Sequence, residues 1–136
     1  MTPDPWERGR RLVARPPAEA PTRFSFPFTR RYVNASLPAG VPGSYLLLDR
    51  AGRPLYVGRS DQCLRQRLLG HPLRGRAAHF TAAVVDGPRG AYLLECYWWH
   101  RYRRDGLELV NRIHPATYDL TVACPFCGPI AAASAA

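Results

Sequence analysis

A group of cationic side chains follows a short apolar stretch in LYVGRSDQCLRQRLLGHP, residues 55–72. The apolar run ends in Tyr-Val-Gly, and the next segment has a helical pattern and carries Arg65, Arg67 and His71. Arg67 and His71 are four residues apart, so they share one face of a helix. Core packing does not require regularly spaced cations, whereas guanidinium groups match phosphate oxygens. The pattern therefore favours a negatively charged ligand.

Glu95 is the one acid of ten that lies inside an almost uninterrupted apolar run, AYLLECYWW. Ionised carboxylates are rarely buried without a partner, because desolvation of the charge is costly. Glu95 is therefore expected to reach solvent, to pair with an arginine or to bind a metal ion. From this position alone, a structural Glu–Arg pair is the favoured explanation. A single carboxylate also suits a hard divalent cation that keeps most of its waters and takes oxygens from a phosphate.

Two of the four cysteines, Cys124 and Cys127, form the CxxC of ACPFCGP, which resembles the knuckle of zinc ribbons. A structural zinc site needs four ligands, and no second CxxC exists. His114 and either Cys96 or Cys63 are the remaining candidates. Two solvent-facing thiols or a labile disulfide are the alternatives. A redox CxxC is disfavoured because no strand–CxxC–helix pattern surrounds it.

Composition and charge indicate the class of partner. The 136 residues suffice for one domain, and no apolar run approaches the about 20 residues that span a bilayer. All 19 basic residues are arginines, and the net charge is +9. A GC-rich genome explains arginine over lysine but not the excess of base, so nucleic acid is the favoured partner. The N-terminus lacks an apolar signal region, which favours a cytoplasmic location without a membrane partner.

Two β-rich runs, residues 44–49 and 54–59, are joined by RAGR, in which Gly52 can supply a positive φ. They predict a β-hairpin. Asp61 is expected to cap a helix that runs to about Leu69.

The rest of the pattern predicts a third strand, a long helix, a second short helix and a short N-terminal strand, in HFTAAVV (79–85), AYLLECYWWHRYRR (91–104), LELVNRI (107–113) and RFSFPFT (23–29). This order indicates a mixed α/β layout in which sheet and helices share one core.

Over residues 42–115 this ordered set resembles the GIY-YIG nuclease domain. The two sequence signatures of that family are matched by Gly43-Ser44-Tyr45 and by Tyr56-Val57-Gly58. The later site positions of the family are matched, in chain order, by Arg59, Arg67, His71, Glu95 and Asn111.

Three departures from the family pattern are visible. Ser44 stands at a packing position that is isoleucine in the family. The interval between Gly58 and Arg67 is one residue longer than usual, so Arg65 is a rival for the helix arginine. The interval between Glu95 and Asn111 is also extended.

The resemblance implies an α/β (α+β) fold, with a small three-stranded antiparallel sheet flanked by helices. It implies a metal-dependent endonuclease that hydrolyses DNA phosphodiester bonds and leaves a 5′-phosphate and a 3′-hydroxyl. Each matched residue then has a role. One of Tyr45 and Tyr56 assists deprotonation of the attacking water. Arg67 binds the scissile phosphate, and His71 hydrogen-bonds a tyrosine or the phosphate. Glu95 holds one Mg²⁺ or Mn²⁺, Asn111 orients a loop or a site residue, and Arg59 and Arg65 bind substrate.

Simpler interpretations stay open beside these roles. The tyrosines can be ordinary strand aromatics, His71 can end a helix, and Asn111 can be a helix C-cap. The alternative function is a non-catalytic DNA-binding module or a subunit that acts only with a partner. A zinc-stapled RNA-binding protein is a third hypothesis. DNA is the expected partner, and RNA stays open as an alternative partner.

The chain is divided on composition into three parts. Residues 1–40 are predicted to be a basic, Pro- and Arg-rich N-terminal extension. Residues 41–118 are predicted to form the nuclease-like domain. Residues 119–136 are predicted to be a C-terminal extension that carries the CxxC, with structural Zn²⁺ as its cofactor.

Overall fold

The fold is built on an antiparallel sheet with helices on both faces. A computed structural model describes residues 25–127. Its elements in chain order are β1 (Phe26–Pro27), α1 (Arg30–Ser36), β2 (Gly43–Leu48), β3 (Pro54–Ser60), α2 (Leu64–Leu69), β4 (His79–Val84) and α3 (Pro88–Arg104). The sheet order is β1-β4-β2-β3, and all neighbours are antiparallel. The predicted α+β class is confirmed, and the two-residue β1 adds a fourth strand to the predicted three.

The central strand β2 is buried along its whole length, because helices cover both of its faces. Successive strand residues point to opposite faces. Tyr45 and Leu47 pack with α1 and α2, whereas Leu46 and Leu48 pack with α3. The sheet is thus the middle of three layers, and each face holds one hydrophobic cluster.

The predicted hairpin between β2 and β3 is confirmed. Gly52 has a φ of 83°, which is the left-handed region that glycine adopts without steric cost. The Asp49 carboxylate accepts a hydrogen bond from the backbone N–H of Arg53 and so closes the turn. The resulting register sets Tyr45 opposite Gly58.

The long helix α3 begins three residues before the predicted range, with Pro88 in its first turn. It ends where Gly106 takes a φ of 84°. There the Leu107 N–H bonds the Tyr102 carbonyl and the Gly106 N–H bonds the Arg103 carbonyl, as in a Schellman motif.

Two local predictions are wrong. Residues 107–113 do not form a helix, because this segment lies along the outer edge of β3, where the Val110 N–H bonds the Leu55 carbonyl. Asp61 does not cap α2. The cap residue is Cys63, and the Asp61 carboxylate pairs with Arg59 instead.

Part of the predicted N-terminal extension belongs to the core. Phe28, Val33 and Leu37 are buried in one cluster with Leu64 and Leu68. Residues 1–24 and 128–136, which include most of the predicted N-terminal extension and half of the C-terminal one, lie outside the described residues, so the three-part division stays a prediction. Within residues 25–127, every helix is too short or too polar to cross a membrane.

Candidate functional site

Two tyrosines stack on the sheet face that α2 covers. The ring centroids of Tyr45 in β2 and Tyr56 in β3 are 6.2 Å apart, with the planes inclined by 13°. Tyr45 is fully buried, and its hydroxyl has no hydrogen bond of ordinary length among the described residues. Burial raises the pKa of this phenol, although the nearby Arg67 guanidinium opposes the rise. Tyr56 is only half-buried, so it is the ring of the two that can meet a ligand.

The two signature glycines leave room for this packing. A Cβ at residue 58 would lie 2.8 Å from Cε1 of Tyr45, and closer still to the Cζ and hydroxyl of that ring. A Cβ at residue 43 would lie 2.7 Å from Cδ2 of Leu64. Both distances are shorter than carbon atoms tolerate, and a Cβ at residue 43 would lie closer still to the carbonyl oxygen of Ala83 in β4. Gly58 therefore makes the position of Tyr45 possible, and Gly43 makes the close approach of β4 and α2 possible.

His71 packs edge-on against both tyrosines from the end of α2. Its ring centroid is 4.7 Å from that of Tyr56 and 5.5 Å from that of Tyr45. Nδ1 accepts a hydrogen bond from the Leu73 N–H at 3.0 Å, so the neutral ring carries its proton on Nε2. Burial and the charge of Arg67 lower the pKa of His71 to about 4. At neutral pH this residue is therefore an uncharged donor through Nε2.

An open cleft of about 410 Å³ adjoins these rings, and we call it the tyrosine cleft. It is lined by Tyr56, Arg67, Gly70, His71, Pro72, Leu73 and Val110. Arg67 is exposed there, and its guanidinium interacts with the Tyr45 phenol. A phenol, a guanidinium and a neutral imidazole thus share one opening, and all three can donate hydrogen bonds to phosphate oxygens.

Arg65, the rival of Arg67, binds the end of α1 instead. Its Nε donates to the Leu37 carbonyl at 2.8 Å, and Nη2 donates to the Asn34 carbonyl at 3.2 Å. These bonds satisfy carbonyl groups that the end of a helix leaves unpaired. The structure therefore brings Arg67, and not Arg65, to the cleft.

Glu95 approaches from α3, on the opposite face of the sheet. It is 8% exposed, and its Oε1 accepts a hydrogen bond from Nη1 of Arg59 at 2.6 Å. Arg59 also donates through Nε to Asp61 at 2.8 Å, so this guanidinium is held by two carboxylates.

Burial raises the pKa of Glu95, and the bond to Arg59 opposes the rise. The structure thus shows the Glu–Arg pair that the sequence position favours. Burial chiefly raises the pKa of Tyr45, and the contact with Tyr45 chiefly raises the pKa of Arg67. The negative charge of Glu95, which does not line the cleft, adds the smallest contribution to each.

Asn111 completes the edge of the sheet beside the cleft. Its Oδ1 accepts from the Val57 N–H at 3.2 Å, and its Nδ2 donates to the Val57 carbonyl at 2.7 Å. The side chain therefore replaces a neighbouring strand at the residue between Tyr56 and Gly58. The C-cap interpretation is wrong, since no helix ends here, and the orienting role agrees with these bonds.

The predicted zinc ligands meet at the far end of α3. His100, His114, Cys124 and Cys127, which we call the His/Cys cluster, have ligand atoms that all lie within 4.8 Å of one another. The Nε2 atoms of the two histidines are 3.2 Å apart, and the Cys127 sulfur is 3.3 Å from Nε2 of His114. The sulfurs of Cys124 and Cys127 are 3.4 and 3.5 Å from Nε2 of His100.

The four separations of 3.2–3.5 Å fit zinc. Zinc lies about 2.0–2.1 Å from imidazole nitrogen and about 2.3 Å from sulfur, so the ligand atoms of a tetrahedral site are about 3.3–3.8 Å apart. Nδ1 of His114 donates to the Pro115 carbonyl at 2.8 Å, which leaves the lone pair of Nε2 for the metal. The cluster is thus a His₂Cys₂ candidate metal site with the donor set of a structural zinc.

His100 is the ligand that the sequence did not reveal. Cys96 and Cys63 were the fourth-ligand candidates, and neither belongs to the cluster. Cys96 is buried one helical turn before His100, and Cys63 caps α2, where it accepts a hydrogen bond from the Gly40 N–H. The available signal was the position of His100 near the end of a long helix whose following chain leads to His114.

Comparisons of the chain with protein-family models, with curated proteins and with solved structures give no match.

Proposed function

We propose that this protein is a metal-dependent endonuclease of the GIY-YIG type, which hydrolyses DNA phosphodiester bonds to a 5′-phosphate and a 3′-hydroxyl. One observation carries the proposal. Tyr56, Arg67 and His71 come from β3, from α2 and from the turn after α2, and they line one open cleft. Each occupies the place in chain order that the resemblance assigns to it.

Arg67 supplies charge stabilisation in this mechanism. Its guanidinium faces an open cleft, unlike that of Arg59 or Arg65, and can bind two oxygens of one phosphate. The phosphoryl group gains negative charge at its oxygens during hydrolysis, and a fixed cation beside it stabilises the transition state more than the ground state.

Tyr56 is the tyrosine that we assign to the attacking water. Tyr45 is buried and its pKa is raised, so it is a poor proton acceptor. Tyr56 lines the cleft and lies against His71, whose Nε2 proton can be donated to a phenolate or to the phosphate. Tyr45 then supports the ring of Tyr56 by stacking.

Glu95 is the residue that would hold Mg²⁺ or Mn²⁺. Its Oε1 is bonded to Arg59, which leaves Oε2 for a cation, and one carboxylate with phosphate and water oxygens is a donor set that these ions accept. Since Glu95 does not line the cleft, the ion would act on a phosphate that extends from Arg67 toward α3, where it would neutralise charge and assist the leaving oxygen. Arg59 favours the ionised form of the buried carboxylate against the effect of burial and fixes its direction, which prepares Glu95 for a cation.

The pairing of Glu95 with Arg59 also favours a second candidate, a non-catalytic DNA-binding module. A carboxylate that serves only to fix Arg59 needs no metal, and the cationic cleft would then hold a backbone phosphate without cleaving it. The net charge of +9 serves both functions equally.

For the His/Cys cluster we propose structural zinc. Three protein ligands and an open position are typical of catalytic zinc, whereas four protein ligands typically close a structural site. The CxxC and His114 are thereby fastened to α3 through His100.

The test uses the full-length chain with its zinc content measured, and plasmid and branched DNA as substrates. Mg²⁺ or Mn²⁺ is added or omitted, and no chelator is used, so that the His/Cys cluster is not stripped. Arg67→Ala is expected to slow cleavage by about 10²–10³-fold. Arg65→Ala removes the same charge from the same helix and is expected to cleave near the wild-type rate. Ligation of the product ends by a DNA ligase checks for 5′-phosphate and 3′-hydroxyl.

Binding without metal-dependent cleavage by the wild-type chain would support the binding module. Equal losses of activity in Arg65→Ala and Arg67→Ala would also count against the proposed mechanism, because they would reflect total charge rather than the cleft.

A further inference from the structure

The described chain after α3 reaches the tyrosine cleft, although residues 107–127 contain no helix or strand. From Leu107 to Cys127, the last described residue, it is irregular. Val110 lines the cleft, and its N–H bonds the Leu55 carbonyl of β3 at 2.7 Å. Asn111 pairs with both backbone groups of Val57. The segment therefore forms one wall of the cleft and holds the outer edge of the strand that carries Tyr56.

This wall is joined to the His/Cys cluster through neighbouring residues. Trp99 donates its indole N–H to the Asn111 carbonyl at 3.0 Å, and His100 is the next residue of α3. The ring of His114, three residues after Asn111, lies 5.1 Å from that of Trp99. Two metal ligands thus lie against the indole that fixes Asn111.

The bonds at the β3 edge are few, and an irregular segment loses much conformational entropy when it is ordered. A bound metal would join His114, Cys124 and Cys127 to His100 on α3 and so lower the entropy cost of placing Asn111. The cluster of Tyr45, Leu47, Leu64 and Leu68 on the other face includes no metal ligand, so the sheet has a core of its own.

We propose that metal bound at His100, His114, Cys124 and Cys127 holds residues 107–114 on the edge of β3 and thereby positions Tyr56 and the cleft wall. Asn111 is then a positioning residue whose side-chain bonds depend on a metal site formed by other residues. The inference rests on the proposed function only for the catalytic role of the cleft. The link between metal binding and the bonds from Asn111 to Val57 is tested without a substrate.

The test is amide hydrogen exchange by NMR on the full-length chain, first loaded with zinc and then stripped by a chelator. The Val57 N–H reports the bond to Asn111, and the Leu46 N–H in the central strand reports the sheet. Zinc removal is expected to lower protection of Val57 by about tenfold or more and to leave Leu46 protected.

Variants separate the metal site from the bond that it supports. Asn111→Ala is expected to lose Val57 protection while it retains one zinc per chain. His114→Ala is expected to lose Val57 protection and the bound zinc. His79 lies in β4 outside the cluster, so His79→Ala is expected to keep Val57 protection and one zinc per chain. Readdition of zinc to the stripped wild-type chain is expected to restore Val57 protection and, with Mg²⁺ present, DNA cleavage.

Equal protection of Val57 with and without zinc would overturn the proposal, because the segment would then be held by its own bonds. Loss of Leu46 protection together with Val57 would overturn it as well, because zinc would then support the whole sheet. If Val57 protection depends on zinc while no DNA is cleaved under any condition, the inference stands and the proposed nuclease function fails.

Discussion

The tyrosine cleft takes most of its lining from strand β3, helix α2 and the turn after it, whereas the His/Cys cluster takes three of its four ligands from chain without helix or strand. The cleft is shaped by β-sheet register and by glycines that leave room for Tyr45 and Leu64. The cluster has no ladder to set its geometry and relies on side chains that meet at one point. The central sheet should therefore persist without a metal ion, while the cluster and the cleft wall formed by residues 107–114 should depend on one.

The largest expected effect tests the chemistry assigned to the cleft. Tyr56→Phe removes the phenol that faces the opening, and DNA cleavage is expected to slow by about 10²–10⁴-fold, which is the range for loss of a general acid or base. Single-turnover cleavage rates at saturating enzyme measure the effect.

Tyr45→Phe is the matched control. It removes a buried hydroxyl that lies near Arg67 but has no ordinary hydrogen bond among the described residues, so both the cleavage rate and the free energy of unfolding are expected to stay close to wild type. A slow Tyr45→Phe enzyme beside a fast Tyr56→Phe enzyme would reverse the assignment of the two tyrosines.

The next effect tests the cluster through its unexpected ligand. His100→Ala is expected to weaken zinc binding by more than about 100-fold, since even the groups that hold metal ligands in place contribute 10–100-fold. Cys96→Ala leaves the four ligands intact and is expected to retain one zinc per chain. Competition with a chromophoric chelator measures both affinities, and a Cys96→Ala chain that loses zinc would make Cys96 a ligand after all.

Both regions show which part of a site a sequence can predict. Tyr45 and Tyr56 were predictable from the family resemblance, and alternation along the regular strands β2 and β3 places them on one face. The resemblance left Arg65 as a rival of Arg67, and only the contacts of Arg65 with the end of α1 separate the two. His100 was not predictable, because the path of an irregular chain decides that a residue of α3 meets Cys124. The segment 107–113 was misassigned for a related reason. Its helical spacing is real, but the unpaired edge of β3 binds Val110 and Asn111 instead.

A smaller effect tests whether register shapes the cleft. Gly58→Ala would press a methyl group into the Tyr45 ring and is expected to lower the free energy of unfolding by about 1–3 kcal/mol, the usual cost of overpacking. Gly70→Ala is the control, because its nearest contact is an ordinary 3.6 Å and its φ of −95° suits alanine. Its effect is expected to stay within about 0.5 kcal/mol in urea unfolding. Equal free energies of unfolding for Gly58→Ala and Gly70→Ala would mean that the Tyr45 ring can move to another position.

The smallest effect concerns pH and distinguishes the cleft imidazole from those of the cluster. In the folded chain the pKa of His71 is about 4, whereas an unfolded histidine has a pKa of about 6.5. Between these values the unfolded state binds more protons, so the contribution of His71 to stability is present above pH about 6.5 and is lost as the pH falls toward about 4. The effect measured here is modest because only the part of this loss that falls between pH 7 and pH 5 is compared, although His71 itself is buried.

His71→Asn keeps an acceptor for the Leu73 N–H and removes the titrating ring. The free-energy difference between wild type and this variant is expected to shrink from pH 7 to pH 5. Acid also releases a metal held by the His/Cys cluster, but it does so in both chains, so the comparison isolates His71. A difference that stays constant over this range would mean that His71 titrates like an exposed histidine, and the neutral Nε2 donor assigned to the cleft would have to be abandoned.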